Sequence, residues 1–365
     1  MVMDLRAKEL QIFLKSNMKK ACILGHYAFG QNAANGQTIK TKILTEALQK
    51  HFGQEQIEKI DTHGGLKTLL KAPLHILKAL KTSSNVIMLP AHNGVRVYGR
   101  FLPLVKNFFK GRKIHYVVIG GWLPEFIKER KGLSKCLKKF DGIYVETSIM
   151  KNALEAQGFK NVFVMPNFKD LKALSEDELV YTTCEPYKLC TFSRVMKEKG
   201  IEDAVNAVVA INEQRERIVY TLDIYGQIDS SQTKWFEDLR KSFPEYVKYK
   251  GVVPFDKSVE VLKDYFALLF PTYYEGEGFA GTLIDSFAAG VPIIASDWKY
   301  NSEIVDHGVT GLVYSLCEKQ GLDKALMFVL NNTEKINEMK KMCLKKSEVF
   351  SIKNIMADFV LRLEK

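Results

Sequence analysis

Several things that would place the chain quickly are missing from it. Its six cysteines (Cys22, Cys136, Cys184, Cys190, Cys317 and Cys343) lie far apart and form no Cys-x-x-Cys pair. A disulfide framework is therefore not expected, and the apolar runs around most of them fit buried thiols in a reducing compartment. No Asp-x-Asp and no His/Cys/Asp cluster with ligand spacing occurs, so neither a catalytic metal nor a bound cofactor is expected. No stretch approaches the ~20 apolar residues of a membrane span. The opening MVMDLRAKELQIFLKSNMKK lacks the apolar core and small-residue cleavage site of a signal peptide, and a cytoplasmic protein is expected. Internal repeats, low-complexity tracts and DNA- or RNA-binding motifs are also lacking, so nucleic acid is not an expected partner despite the net charge of +11.

What is present is ordinary in bulk and uneven in detail. With 365 residues, 46% hydrophobic and 26% charged, the chain is a soluble globular protein too long for one core, and two domains are expected. Residues 1–180 hold 29 Lys+Arg against 15 Asp+Glu, a net +14 that leaves −3 for the remainder. The first half therefore faces something acidic.

Short apolar or β-branched runs recur with room for a helix between them, the pattern of an α/β protein with parallel sheets. In the first half they are ACILGHY (21–27), NVIMLPA (85–91), KIHYVVIG (113–120), GIYVET (142–147) and NVFVMP (161–166). A polar, acidic stretch (169–188) interrupts them. A second series follows: KLCTFS (188–193), YTLDIYG (219–226), VKYKGVV (247–253), ALLFPTYY (267–274), PIIASD (292–297) and GLVY (311–314). Helical spacing shows in ILTEALQKHF (43–52) and SVEVLKDYFALL (258–269). Two doubly wound Rossmann-like domains are predicted, residues 1–180 and 181–348. An amphipathic C-terminal helix, 349–365, is expected to cross back to the first domain. Such sheets bind ligands beyond the carboxyl ends of their strands, so the loops there are where a site is sought.

One such loop reads EGEGFAGTLID (275–285). A strand leads into a glycine-rich turn and then a helix from about Thr282 to Gly290, whose first amides lack partners and suit an anion such as a diphosphate. Gly278 and Gly281 allow close backbone approach. Glu277 precedes those amides, where a carboxylate can accept hydrogen bonds from sugar hydroxyls, and Asp285 lies one turn into the helix. A helix-capping Glu277 and a solvated Asp285 would explain the same residues. A second loop, TFSRVMKEKGIEDAV (191–205), sets Arg194 at a strand end and Lys199 before Gly200. Two cations near helix amides are what a departing diphosphate needs, although a solvated basic cluster has the same look.

Taken together, these stretches resemble the retaining glycosyltransferases of family four, of the type that builds capsular polysaccharide, exopolysaccharide or lipopolysaccharide. That family has the GT-B architecture of two facing Rossmann-like domains with a cleft between them. EGFAGTLIDS (277–286) matches its paired-acid motif, Arg194…Lys199-Gly200 its basic element, and AAGVPIIASDWKYNSEIVDHGVTGLVY (288–314) its downstream text. The likeness is strong over 188–314 and thin before it. It implies metal-independent transfer of a hexose from a nucleotide-diphosphate sugar, as co-substrate, to a glycan acceptor. Arg194 and Lys199 would hold the diphosphate and Glu277 would contact the donor sugar, these three forming the catalytic set. Gly278, Phe279, Ala280, Gly281 and Thr282 would bind phosphate or sugar oxygens, and Asp285 the ribose, with Gly226 completing the donor set. Asp285 departs from the usual Glu by one methylene. A nucleotide-sugar epimerase and a catalytically silent partner subunit of the same fold are the rival readings.

The first half offers GHYAFGQNAANGQTIKT (25–41), whose glycines have the wrong spacing for a dinucleotide fingerprint. By the resemblance, Gly36 and Gln37 lie over the donor phosphates. Where family members carry a histidine near the acceptor, this chain reads VVIGGWLPE (117–125). His92, at another strand end, is a substitute candidate or a structural histidine. RFLPLVKNFFKGRK (100–113) and FIKERKGLSKCLKKF (126–140) interleave cations with apolar residues, as helices on an anionic membrane do, and equally as solvated helix faces do. A lipid-linked acceptor at the inner face of the cell membrane would account for them.

Overall fold

Among the residues that the computed structural model describes, 18–30 and 36–365, twelve strands form two six-stranded sheets. All pairings are parallel. The first sheet holds β1 (Lys19–Gly25), β2 (Ile57–Asp61), β3 (Ser83–Met88), β4 (Lys113–Val117), β5 (Gly142–Val145) and β6 (Val162–Val164), in the order β2-β1-β3-β4-β5-β6. The second holds β7 (Tyr187–Phe192), β8 (Tyr220–Tyr225), β9 (Val247–Gly251), β10 (Ala267–Phe270), β11 (Ile293–Ser296) and β12 (Gly311–Tyr314), in the order β12-β11-β10-β7-β8-β9. Both are Rossmann-like, and the fold is that of GT-B proteins. The order in which the chain adds strands reverses between β1 and β3 in one sheet and between β7 and β10 in the other. Loops leaving those strands part at these points and open a crevice.

The chain divides into two compact units: residues up to Pro166 with Ile355–Lys365, and Asn167–Asn354. The division falls earlier than the expected 180 because the polar segment after β6 bonds to the second unit. Asn167 Nδ2 donates to Phe279 O at 2.9 Å, and the Leu174 amide donates to Ala288 O at 2.9 Å. In the second unit, Leu189, Leu222, Ile224, Phe236, Phe266 and Leu269 belong to one buried core, which fixes the sheet against the helix Ile201–Gln214 and its neighbours.

Three local expectations change. IEKID (57–61) is a strand that its three charges hid. The helix over 258–269 stops at Leu262, since Ala267–Phe270 is the fully buried β10. Segment 126–140 does not present an apolar face to a membrane: Ile127, Leu133, Leu137 and Phe140 are buried, and Phe126 packs under Trp122 and Arg130. No helix among the described residues is long and apolar enough to cross a membrane.

The last helix, Ile352–Glu364, closes the first unit around a buried histidine. Asn85 Nδ2 donates to Leu363 O at 3.0 Å and to Lys20 O at 2.9 Å, which leaves Asn85 Oδ1 to face His115 Nε2 at 3.2 Å. His115 Nδ1 lies 3.2 Å from the Tyr144 hydroxyl. The imidazole is thus neutral, donating to Asn85 and accepting from Tyr144, and burial pushes its pKa down to about 4. A histidine depressed in the folded state contributes stability above its unfolded pKa and loses it as pH falls toward the folded value. Urea unfolding of the first unit should therefore show about 3 kcal/mol lost between pH 6.5 and pH 4. His115→Gln, which does not titrate, should flatten that part of the profile; an unchanged slope would refute the assignment.

Candidate functional site

The loops leaving β7 and β10 meet at the switch point of the second sheet. After β7 the chain makes a turn, Lys197–Lys199, and passes through Gly200 at φ 69° into the helix Ile201–Gln214. A Cβ on Gly200 would lie 2.2 Å from Pro271 O, so glycine is required both by the left-handed backbone and by the approach to the other loop. The Tyr273 amide donates to Glu198 O at 2.8 Å, joining the two loops directly.

That close approach brings two charges together. Lys199 Nζ lies 2.5 Å from Glu277 Oε2, with side chains 11% and 7% exposed. Thr272 Oγ1 donates to the same carboxylate oxygen at 2.8 Å. The Lys199 ammonium also stands 5.1 Å from the ring centre of Tyr274 and 5.6 Å from that of Phe270, aromatic faces that favour a cation. Three residues beyond Glu277, Ala280 caps the helix Gly281–Ala288. Gly278 and Phe279 are buried, and Phe279 meets Phe350 edge to face. The Leu283 amide is taken by Ala280 O at 3.1 Å, which leaves the Gly281 and Thr282 amides as the orphan donors of the first turn, and the buried Thr282 Oγ1 has no hydrogen-bond partner. The arrangement offers donors to an anion beside a carboxylate that accepts hydroxyl protons.

The remaining candidates lie elsewhere. Arg194 is half exposed, and its Nη1 pairs with Asp229 Oδ2 at 3.2 Å, so it is not part of the Lys199–Glu277 pair. Gly226, at φ 137°, is a packing glycine: a Cβ there would lie 1.7 Å from Ser193 O. The ribose contact expected of Asp285 does not fit its surroundings. It is 1% exposed, and its oxygens accept from Lys169 Nζ at 2.5 Å and Ser258 Oγ at 2.8 Å. Burial raises its pKa against the pull of Lys169. Lys169 was not singled out by sequence; it is the third residue after Pro166, and only the strand-end position of NVFVMPNFK hints at it. Its Cε would lie 2.8 Å from a Cβ on Gly281, so the lysine stem crosses the start of the helix.

In the first unit, residues 31–35 of the candidate loop lie outside the described residues. Gly36 opens the helix Gly36–Phe52, and Gln37 Nε2 donates to Leu89 O, just past β3, at 3.3 Å. His92 stacks on Trp122 at 4.1 Å. Partial burial, then Arg96 and Arg130, hold its pKa below the usual histidine range. A buried pair that sequence did not reveal, Lys40 Nζ to Glu146 Oε1 at 2.8 Å, stands behind the glycine pair after β4: Glu146 Oε2 accepts from the Gly120 amide at 3.2 Å.

Residues 183–345, which carry the Lys199–Glu277 pair and the helix beside it, match the family model of glycosyl transferases group 1. Over this stretch the chain is similar to that family. Outside it the likeness is one of fold. The chain is similar to the GtfA subunit of a UDP-N-acetylglucosamine–peptide N-acetylglucosaminyltransferase from Streptococcus gordonii, 30% identical over 177 residues, 47% of this chain and 33% of that protein. An amylovoran biosynthesis glycosyltransferase, AmsK of Erwinia amylovora, is 24% identical over 147 residues, 39% of this chain and 36% of that protein. This chain thus aligns with little more than a third of either relative. Among solved structures, Anabaena Alr3699/HepE in complex with UDP and glucose superimposes with a TM-score of 0.71 at 14% identity, over 95% of this chain and 100% of that one.

The environment of Asp285 gives a stability test. Lys169→Met leaves a buried carboxylate without its cation and should destabilise the second unit by about 3 kcal/mol in denaturant unfolding. Adding Asp285→Asn should restore most of that loss, because the stranded charge is gone; additive losses would show that the two do not act as a pair.

Proposed function

We propose that the protein is a retaining, metal-independent glycosyltransferase. It moves a hexose from a nucleotide-diphosphate sugar to a glycan acceptor, lipid-linked, during the building of a surface polysaccharide at the inner face of the cell membrane. The observation that carries this reading is the buried Lys199–Glu277 pair beside the first turn of Gly281–Ala288, inside the stretch that matches the group 1 family. The Anabaena structure with UDP and glucose is similar in fold, and AmsK serves the synthesis of a polysaccharide. Both support the reading.

In this mechanism the bond between the anomeric carbon and the β-phosphate oxygen breaks, and an acceptor oxygen takes its place on the same face of the sugar. The acceptor proton ends on the nucleoside diphosphate. Negative charge growing on the β-phosphate is met by the Lys199 ammonium, by the first-turn amides with the Thr282 hydroxyl, and by Arg194 swinging from Asp229. Glu277 accepts from the sugar hydroxyls. For Gly36, Gln37 and His92 of the first unit the proposed role is that of a phosphate or acceptor loop.

A thermal-shift screen of uridine, guanosine and adenosine diphosphate sugars identifies the donor, which raises Tm by mass action. With that donor, Lys199→Ala should lower acceptor-dependent release of nucleoside diphosphate by about 10²-fold or more. Unchanged turnover would refute the reading, and an anomeric proton coupling showing inversion would refute retention.

A further inference from the structure

We propose that the first unit docks on an anionic lipid surface through the outward face of residues 65–82 and 100–110. Between Asp61 and Glu125 the sequence has no acidic residue, while residues 62–124 contain ten lysines and arginines. This run builds the helices Gly65–Leu70, Ala72–Thr82 and His92–Lys106. The last two pack side by side, tied by His75 Nδ1 to the Tyr98 hydroxyl at 2.8 Å.

These helices are apolar on both sides. Ala72, Ile76, Ala79 and Leu80 face inward and are buried. On the other side Leu66, Leu70, Leu74 and Leu77, spaced four, four and three apart, are 74%, 76%, 68% and 40% exposed. Along the neighbouring helix and its end, Phe101, Leu104 and Phe108 repeat at three and four, and Phe108 is 86% exposed. Soluble proteins rarely leave two adjacent helices with outward apolar stripes, and among the described residues nothing in the packing of the unit covers them.

The charges around the stripes identify the occupant. Lys67, Lys71, Lys81, Arg100 and Lys110 are exposed, whereas Lys78 and Lys106 are held by Glu58 and Asp141. Leucine and phenylalanine entering the acyl boundary, flanked by lysines at headgroup level, match an anionic bilayer. Nucleic acid would want the cations without the aliphatic stripe. The proposal refines the membrane-borne acceptor of the reading above and rests on it for its purpose. Its test needs neither donor nor acceptor, so either can fail alone.

The full chain is sedimented with vesicles of phosphatidylcholine alone and of phosphatidylcholine mixed with phosphatidylglycerol. It should pellet with the mixed vesicles only, less so at high salt. Leu70→Ser/Leu74→Ser/Leu77→Ser and, separately, Lys67→Glu/Lys71→Glu should each lower the partition coefficient by about tenfold or more, since each cation near the surface is worth about fivefold. Far-UV melting should be unchanged, because the substituted side chains are exposed. Three results would overturn the proposal: equal or absent pelleting on both vesicle types, partitioning that neither variant alters, or a vesicle-free dimer that the serine variant dissolves, which would give the face to a second copy.

Discussion

Everything at the candidate site follows from a constraint on parallel sheets. Crossover connections run in one hand, so a strand order that begins in the middle and grows outward in both directions must part its loops at one place. In the second sheet that place is between β7 and β10. The loop from each strand arrives there from a different part of the sequence, 78 residues apart for Lys199 and Glu277. Glycine at 200 lets the two loops touch. Cation, carboxylate and helix start are then held on one rigid frame, and the site needs no dedicated scaffold beyond the sheet.

Electrostatics in the second unit are arranged in pairs. Lys199 answers Glu277, Lys169 answers Asp285, and Arg194 answers Asp229. The first two are sheltered, where an unmatched charge is costly, and the third is open to water. Burial therefore separates a fixed element, Lys169–Asp285, from an arm free to turn, Arg194. It also fixes Asp285 within the helix Gly281–Ala288 through Lys169 and Ser258, while Glu277 in the loop before that helix is held by Lys199 and Thr272.

The candidate residues Glu277 and Lys199 stood out in the sequence because cations, small residues and a helix start in short stretches are what an anion site would need, and the structure brings the two together as an ion pair. Most strands of the second sheet were plain because they are largely apolar, and β9, VKYKG, was read from the valines that follow it in spite of its two lysines. β2 was not, because IEKID carries its two isoleucines in a charged frame and lies beside β1 at an edge. Lys169 and the Lys40–Glu146 pair escaped notice for another reason: partners 116 and 106 residues apart leave no local pattern. Asp285 was visible but misjudged, since burial and the identity of its neighbours are properties of packing.

The resting state of Lys199 and Glu277 carries an implication for selectivity. Each group already has a counter-ion, so an arriving anion competes for the ammonium with a carboxylate that is almost sealed from solvent. A small anion without hydroxyl groups, such as chloride, brings nothing to the carboxylate it displaces and strands it. Under the proposed activity, a diphosphate that bears a sugar would supply hydroxyl hydrogen bonds to that oxygen in the same event. On that reading, discrimination against such small anions is present before any ligand arrives.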